Sequence, residues 1–313
     1  MILMFSLLAV GIFVLIGGAH LLVGGSSSIA SKFGVPSFLI GLTVVSMGTS
    51  TPELIVNINA ALSGSSDLAI GNILGSNIAN ILLILGLSAI IFPLTVKKNT
   101  VWKEIPFGLV AVICVGEMAI SGSLVSRREG FILLAFMVIF VWYVFSISRL
   151  DEKGNQDHVP AFSVGYSILM ILVGLGGLIW GADLVVKNAI SLARSFNVSE
   201  VLIGLTVVSI GTSLPELVTS VLAVWKGNND IAVGNVIGSN IFNVFFILGL
   251  TATISPLPVP GFVMTDVAMV IGSTLLLFLF MFLGRQKYVL NRMEGLIFLI
   301  LYSGYVCYLI IRG

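Results

Sequence analysis

Charge is scarce in this chain. Fifteen Lys and Arg and fourteen Asp and Glu make up only 9% of 313 residues. Soluble domains carry about 25%, so a water-facing globular fold is excluded. The net charge of +1 offers no basic surface for nucleic acid. Cysteine is equally rare. Cys114 and Cys307 each stand alone in an apolar run, which excludes a disulfide framework and a Cys/His metal motif. No Gly-rich phosphate loop is present, so no ATP drive is visible. No nucleophile–base pair or catalytic metal set can be assembled, which points away from an enzyme and implies no cofactor. No basic n-region precedes the first apolar run, so residues 1–24 read as a spanning helix and not as a signal peptide.

What is abundant is apolar surface. Hydrophobic residues make up 58% of the chain and mean hydropathy is +1.14. Ten apolar segments follow one another, at 2–24, 36–61, 68–92, 102–121, 130–148, 162–188, 199–225, 231–254, 263–283 and 291–311. Each is about 20 residues or longer, the length a helix needs to cross the hydrocarbon, where a barrel would show short alternating segments. Residues 149–160, with Asp151, Glu152, Lys153 and Asp157, form the one clearly polar connector. At about a dozen residues it is too short to hold a regulatory calcium-binding domain. It divides the chain into 1–148 and 161–313, five segments each.

The two parts are related. Leu39-Ile-Gly-Leu-Thr-Val-Val-Ser-Met-Gly-Thr-Ser-Thr-Pro-Glu53 returns as Leu202-Ile-Gly-Leu-Thr-Val-Val-Ser-Ile-Gly-Thr-Ser-Leu-Pro-Glu216, an offset of 163 residues. The alignment has no gap from Phe33/Phe196 to Pro93/Pro256, and Gly18-Ala19 aligns with Gly181-Ala182. With five helices per half, the second half enters the membrane from the opposite side. The predicted fold is therefore an all-α integral membrane protein, with ten transmembrane helices as two inverted five-helix repeats. Placing the N-terminus outside leaves ten Lys and Arg in inside loops (Lys32, Lys97, Lys98, Lys103, Arg149, Lys153, Lys226, Arg285, Lys287, Arg292). Five are left outside (Arg127, Arg128, Lys187, Arg194, Arg312). The bias favours both termini outside, with Arg127-Arg128 dissenting.

Each half places one carboxylate, Glu53 or Glu216, inside an apolar stretch. A charge at that depth costs roughly 2.5–3.5 kcal/mol on insertion scales and marks a functional site. Pro52 donates no backbone hydrogen bond and its ring clashes with the carbonyl of residue 48. The second helix is therefore expected to kink and free carbonyls near residues 46–49, with the seventh repeating it at Ser209 to Pro215. Thr49 and Ser50 precede Glu53 by four and three residues, so both hydroxyls can flank it. Thr212 and Ser213 do the same for Glu216. The third helix carries Asn72, Ser76 and Asn80 on one stripe, and the eighth carries Asn235, Ser239 and Asn243. Asn77 and Asn240 point elsewhere. Carbonyls, hydroxyls and carboxylates are hard oxygen ligands, suited to Na+ and Ca2+.

Each feature taken singly has a plainer reading. A Thr-Ser pair in a membrane helix usually serves packing, an Asn interhelical bonding and a Pro a kink. All of them together, twice, around an acid with no base in its own helix, make the ion site the stronger reading. Other polar residues say less. His20 aligns with Asp183, and a structural hydrogen bond is expected of each, with mutual pairing, a water path or pH sensing as alternatives. Asp266 and Glu117 lie near segment ends and read as interfacial. Trp102, Trp142, Trp180 and Trp225 read as interface anchors, and Lys97, Lys98 and Lys103 as topology signals or anionic-lipid contacts.

Gly-Thr-Ser-x-Pro-Glu followed by Gly-Asn-x-x-Gly-Ser-Asn-x-x-Asn, in both halves, resembles the α-repeats of the sodium/calcium exchanger branch of the calcium/cation antiporter superfamily, in its prokaryotic form without a regulatory domain. The resemblance covers nearly the whole chain. It implies ion sites near the midplane ringed by Glu53, Glu216, Thr49, Thr212, Ser50, Ser213, Ser76, Ser239, Asn80 and Asn243, with carbonyls of Ser46 and Ser209. It implies alternating-access exchange of Na+ for Ca2+, electrogenic, by a multi-pass protein of the cell membrane. Its partners are then the two ions and the lipid bilayer, and no protein partner is implied. Many relatives carry Asp in place of Asn80 or Asn243, and the potassium-dependent ones an acid at the position of Asn243, so two amides argue against a potassium requirement. Proton-coupled cation exchangers usually read Gly-Asn-x-x-Glu, where this chain has Gly75 and Gly238. On the residues alone, an H+-coupled Ca2+ or other divalent-cation antiporter remains open, and more remotely a passive channel or a structural membrane protein.

Overall fold

The computed structural model of the chain describes residues 2–122, 124–148, 162–196, 209–259, 263–283 and 286–312. The expected linker at 149–160 lies outside the described residues, as does the opening of the seventh apolar segment through residue 208.

The fold is helical. In chain order come α1 (Ile2–Phe33), α2 (Ser37–Thr49), α3 (Thr51–Leu62), α4 (Ser66–Ile91), α5 (Ile105–Gly122) and α6 (Arg127–Ser148). Then follow α7 (Val164–Ser195), α8 (Ser209–Thr212), α9 (Leu214–Trp225), α10 (Asn229–Ile254), α11 (Val263–Leu283) and α12 (Arg292–Arg312). Among the described residues seven helices are long and apolar enough to cross a membrane, or eight if the bent α2–α3 pair is one span. The chain is thus an all-helical membrane protein of several spans.

α1 and α7 run well past the expected ends at 24 and 188. The extensions carry serines, which apolarity alone treats as loop. In α1 two of those serines have partners: Ser167 donates to the Ser28 hydroxyl at 2.8 Å, and Asn228 donates to Ser27 at 3.0 Å. Hydroxyls bonded to neighbouring elements cost little in a helix buried in protein. After α3 and α9 the chain turns at Gly64 and Gly227, matching positions with φ of 74° and 78°, a backbone region that glycine enters without strain.

α4 and α10 form the centre. Of their most apolar windows 78% and 89% are buried, against 33% for α1 and α7 and 17% for α12. The outer helices turn large apolar side chains such as Phe13, Phe131 and Ile311 outwards, as a lipid-facing surface requires. Two short antiparallel ribbons tie the halves together. β1 (Leu94–Thr95) pairs with β4 (Val289–Leu290), and β2 (Leu124–Val125) with β3 (Leu257–Pro258).

α1 and α7 pack antiparallel through small residues seven apart, Gly11, Gly18 and Gly25 against Gly181, Gly174 and Ser167. Lipid is as apolar as leucine, so close backbone approach, and not exclusion from water, holds such helices together. A Cβ on Gly18 would lie 2.8 Å from the Gly174 carbonyl oxygen, whereas one on Gly17 meets nothing within 4 Å. Gly18→Val should therefore cost about 1–3 kcal/mol by overpacking, seen as a lower melting temperature of the purified protein. Gly17→Val should melt like the parent, and equal melting of the two variants would refute this contact.

Candidate cation site

The site grows out of two helix breaks. Pro52 occupies the second position of α3, where its missing N–H is not needed. α2 stops at Thr49, Ser50 takes the non-helical values φ −82° and ψ 10°, and α3 leaves at 44° to α2. Pro215 does the same for α9, with Ser213 at φ −86° and ψ 7°. Glu53 and Glu216 thus fall in the first turns of α3 and α9. There the helix dipole complements a negative charge.

Both glutamates are 1% exposed. Each is served by hydroxyls from both halves of the chain. Ser213 donates to Glu53 Oε1 at 3.4 Å and Ser76 to the same oxygen at 3.5 Å. Ser50 donates to Glu216 Oε1 at 2.8 Å and Ser239 to it at 3.5 Å. The second oxygen of each carboxylate, Oε2, is buried without a hydrogen-bond partner. Among the described residues no Lys, Arg or His forms an ion pair with either acid.

The amides follow the same crossed pattern. Asn80 donates its Nδ2 to Asn240 Oδ1 at 2.9 Å, and Asn243 donates to Asn77 Oδ1 at 3.0 Å. Asn77 and Asn240 also donate to each other's backbone carbonyls at 3.3 Å. With their nitrogens held, Asn80 and Asn243 each keep a buried Oδ1 that accepts nothing. Both amides sit at the start of π-helical turns, Ala79–Leu85 and Asn243–Leu248, a distortion often found at functional sites. Thr49 donates to Asn235 Oδ1 at 3.0 Å and Thr212 to Asn72 Oδ1 at 3.2 Å. Their hydrogens are spent, and the oxygen lone pairs remain.

Several expectations change. The Ser46 carbonyl is not freed by Pro52: it accepts the Ser50 N–H at 3.0 Å. The break falls at Ser50, because the proline removes only its own donor. Ser209 opens α8, and its side chain lies outside the described residues. Asn77 and Asn240 prove to be the clamps of Asn243 and Asn80. Their role depends on which helix faces them, which spacing along one helix does not disclose. His20 and Asp183 do not pair: Asp183 bonds Lys187 at 2.8 Å, and His20 is exposed. Asp266 lies in the first turn of α11, as a residue near a segment end, and is nevertheless only 3% exposed, held by Arg312 at 3.0 Å and Tyr305 at 3.1 Å. Glu104, passed over in the sequence, is 2% exposed and accepts from the Tyr143 hydroxyl.

No group of three or more His, Cys, Asp and Glu is found among the described residues. Two acids ringed by hydroxyl and amide oxygens, inside a helical membrane protein, offer oxygen donors of the kind that suit a hard cation and not a soft metal. The chain belongs to the sodium/calcium exchanger protein family, whose profile matches residues 3–146 and 166–311. It is 42% identical to the inner membrane protein YrbG of Escherichia coli, over 82% of this chain and 81% of that one. It is 30% identical to the sodium/calcium exchanger MaX1 of Methanosarcina acetivorans, over 96% and 97%. Its fold matches a structure of the sodium-calcium exchanger NCX_Mj with a TM-score of 0.85 and 34% identity, covering 98% of each chain.

The two buried acids repel one another wherever both are ionised. In ion-free buffer Glu53→Gln should melt at or above the parent temperature. Ca2+ at a hundredfold its Kd should stabilise the parent by about 2.7 kcal/mol and the variant hardly at all. Equal Ca2+-induced shifts in the two proteins would argue that Glu53 is not at the binding centre.

Proposed function

We propose that this protein is a Na+/Ca2+ antiporter working by alternating access, with Glu53 and Glu216 as the charged ligands at its centre. The observation that carries this reading is the set of four buried acceptor oxygens without partners, Glu53 Oε2, Glu216 Oε2, Asn80 Oδ1 and Asn243 Oδ1. Acceptors buried without donors are costly, and a cation relieves all of them together. Ser50, Ser213, Ser76, Ser239, Thr49 and Thr212 complete the ring in this reading. The Ser46 and Ser209 carbonyls are its outer members, Ser46 through the lone pair its backbone bond leaves free.

The proposed architecture is ten spans in two inverted repeats, with both termini extracellular. The 163-residue repeat, the crossed hydrogen bonds and the matched turns at Gly64 and Gly227 support it. Inverted repeats with a site at their interface favour rocking of one half on the other over an open pore. Two carboxylates carry a formal charge of −2, which one Ca2+ neutralises. Exchange of more than two Na+ per Ca2+ therefore moves net charge.

In proteoliposomes loaded with Na+, an outward Na+ gradient should drive Ca2+ uptake, and a membrane potential should change its rate. Uptake that tracks a pH gradient and ignores Na+ would replace this reading with proton-coupled exchange.

The ligand assignment has its own check. Glu53→Gln or Glu216→Gln should each abolish Ca2+ transport, because Ca2+ needs strong charge compensation. Asn240→Ala, which removes the clamp on Asn80 together with the bond to the Asn77 carbonyl, should weaken apparent Ca2+ affinity by about 10–100-fold, as loss of an outer-shell partner does. Near-parent Ca2+ exchange by both glutamine variants would show that the centre lies elsewhere.

A further inference from the structure

A second buried acid stands apart from the central pair. Glu104 closes the π-helical turn Thr100–Glu104 that leads into α5. Its Oε1 accepts from Tyr143 of α6, and its Oε2 is buried without a partner. Thr100, one turn earlier on the same helix, turns its buried hydroxyl toward this carboxylate. Beside Glu104 is a cavity of about 20 Å³, lined by Asn240 and Thr274 and by the apolar Ile81, Ile237 and Leu277. That is room for one water-sized body.

The second half handles the same problem differently. There Asp266 pairs with Tyr305, 39 residues on, as Glu104 pairs with Tyr143. But Asp266 also binds Arg312 at 3.0 and 3.2 Å. Glu104 forms no ion pair among the described residues. The basic residue beside it, Lys103, lies over the Tyr143 ring at 5.8 Å from its centroid. Where the chain neutralises Asp266 with an arginine, it leaves beside Glu104 a space of ionic size.

We propose that this pocket is a second monovalent-cation site, in which one Na+ or one proton neutralises Glu104. A divalent ion does not fit the chemistry: Ca2+ takes 6–8 oxygens, and the pocket offers one carboxylate and few neutral donors. The groups facing Glu104 are Tyr143 from α6 and Lys103 from its own turn. The surrounding α4, α10 and α11 turn Ile81, Ile237, Asn240, Thr274 and Leu277 to the cavity, none of which titrates. The Thr274 hydroxyl has spent its hydrogen on the Val270 carbonyl at 2.7 Å and presents lone pairs only. Asn240 also accepts from Asn80. An occupant therefore touches the amide that orients an oxygen of the central site, a link that rests on the proposed function, whereas occupancy itself does not.

Infrared difference spectra of the full-length protein in liposomes test this. The central pair is first silenced by Glu53→Gln with Glu216→Gln, so that the outcome is independent of the antiporter reading. Exchanging choline for Na+ at alkaline pH should change a carboxylate band that Glu104→Gln abolishes, and acidification should suppress the response by competition. A Glu104-dependent band that responds to acid but never to Na+ identifies the occupant as the proton. Tyr143→Phe keeps the acid and removes its donor, so it must shift the frequency of the same band. A spectrum with no Glu104-dependent change on adding either cation, or a band indifferent to Tyr143→Phe, overturns the proposal.

Discussion

Two buried carboxylates with no basic partner among the described residues are the constraint around which this molecule is arranged. A single charge in the bilayer core costs several kcal/mol by most measures, and two like charges repel as well. The chain answers by breaking helices at Ser50 and Ser213 and setting each acid in the first turn of the next helix. It surrounds the acids with hydroxyls that satisfy one oxygen apiece and leave the other bare. A structural ion pair would satisfy everything. Here each acid instead keeps one oxygen unsatisfied.

The halves of the chain are interleaved at this centre and not merely adjacent. Glu53 depends on Ser213, Glu216 on Ser50, Asn80 on Asn240 and Asn243 on Asn77. Displacing one half against the other therefore disturbs both acids at once. Further out, the contact between halves changes character. α1 and α7 meet through small residues that bring backbone against backbone. In lipid such an interface is held by dispersion and not by hydrophobic force.

Charge elsewhere in the bundle shows the same economy. Asp266 is closed off by Arg312 and Tyr305. Lys97 and Asp230 pair at 2.6 Å between the end of the first half's motif region and the start of α10. Glu104 alone among these acids combines deep burial, a tyrosine donor, a bare oxygen and a neighbouring cavity.

Membrane class, the internal repeat and one acid in the middle of an apolar stretch of each half are determined by the sequence alone; which hydroxyls serve the acids is not, since Ser213 donates to Glu53 and Ser50 to Glu216. Apolar length, a 163-residue self-match and a proline three residues after a threonine are local features, and local physics fixes what they do. The tertiary structure decided the cross-helix pairings. That Asn77 and Asn240 are clamps, that the Ser46 carbonyl stays in its helix, that α1 continues through its serines and that Asp266 is buried all depend on which surface comes to face them. Glu104 is the clearest case. In the sequence it is one acid beside a lysine near a segment end, and only packing against Tyr143 and a cavity makes it a buried charge. A side chain's partner across a helix interface is set by the relative placement of two backbones, and no spacing within one helix carries that information.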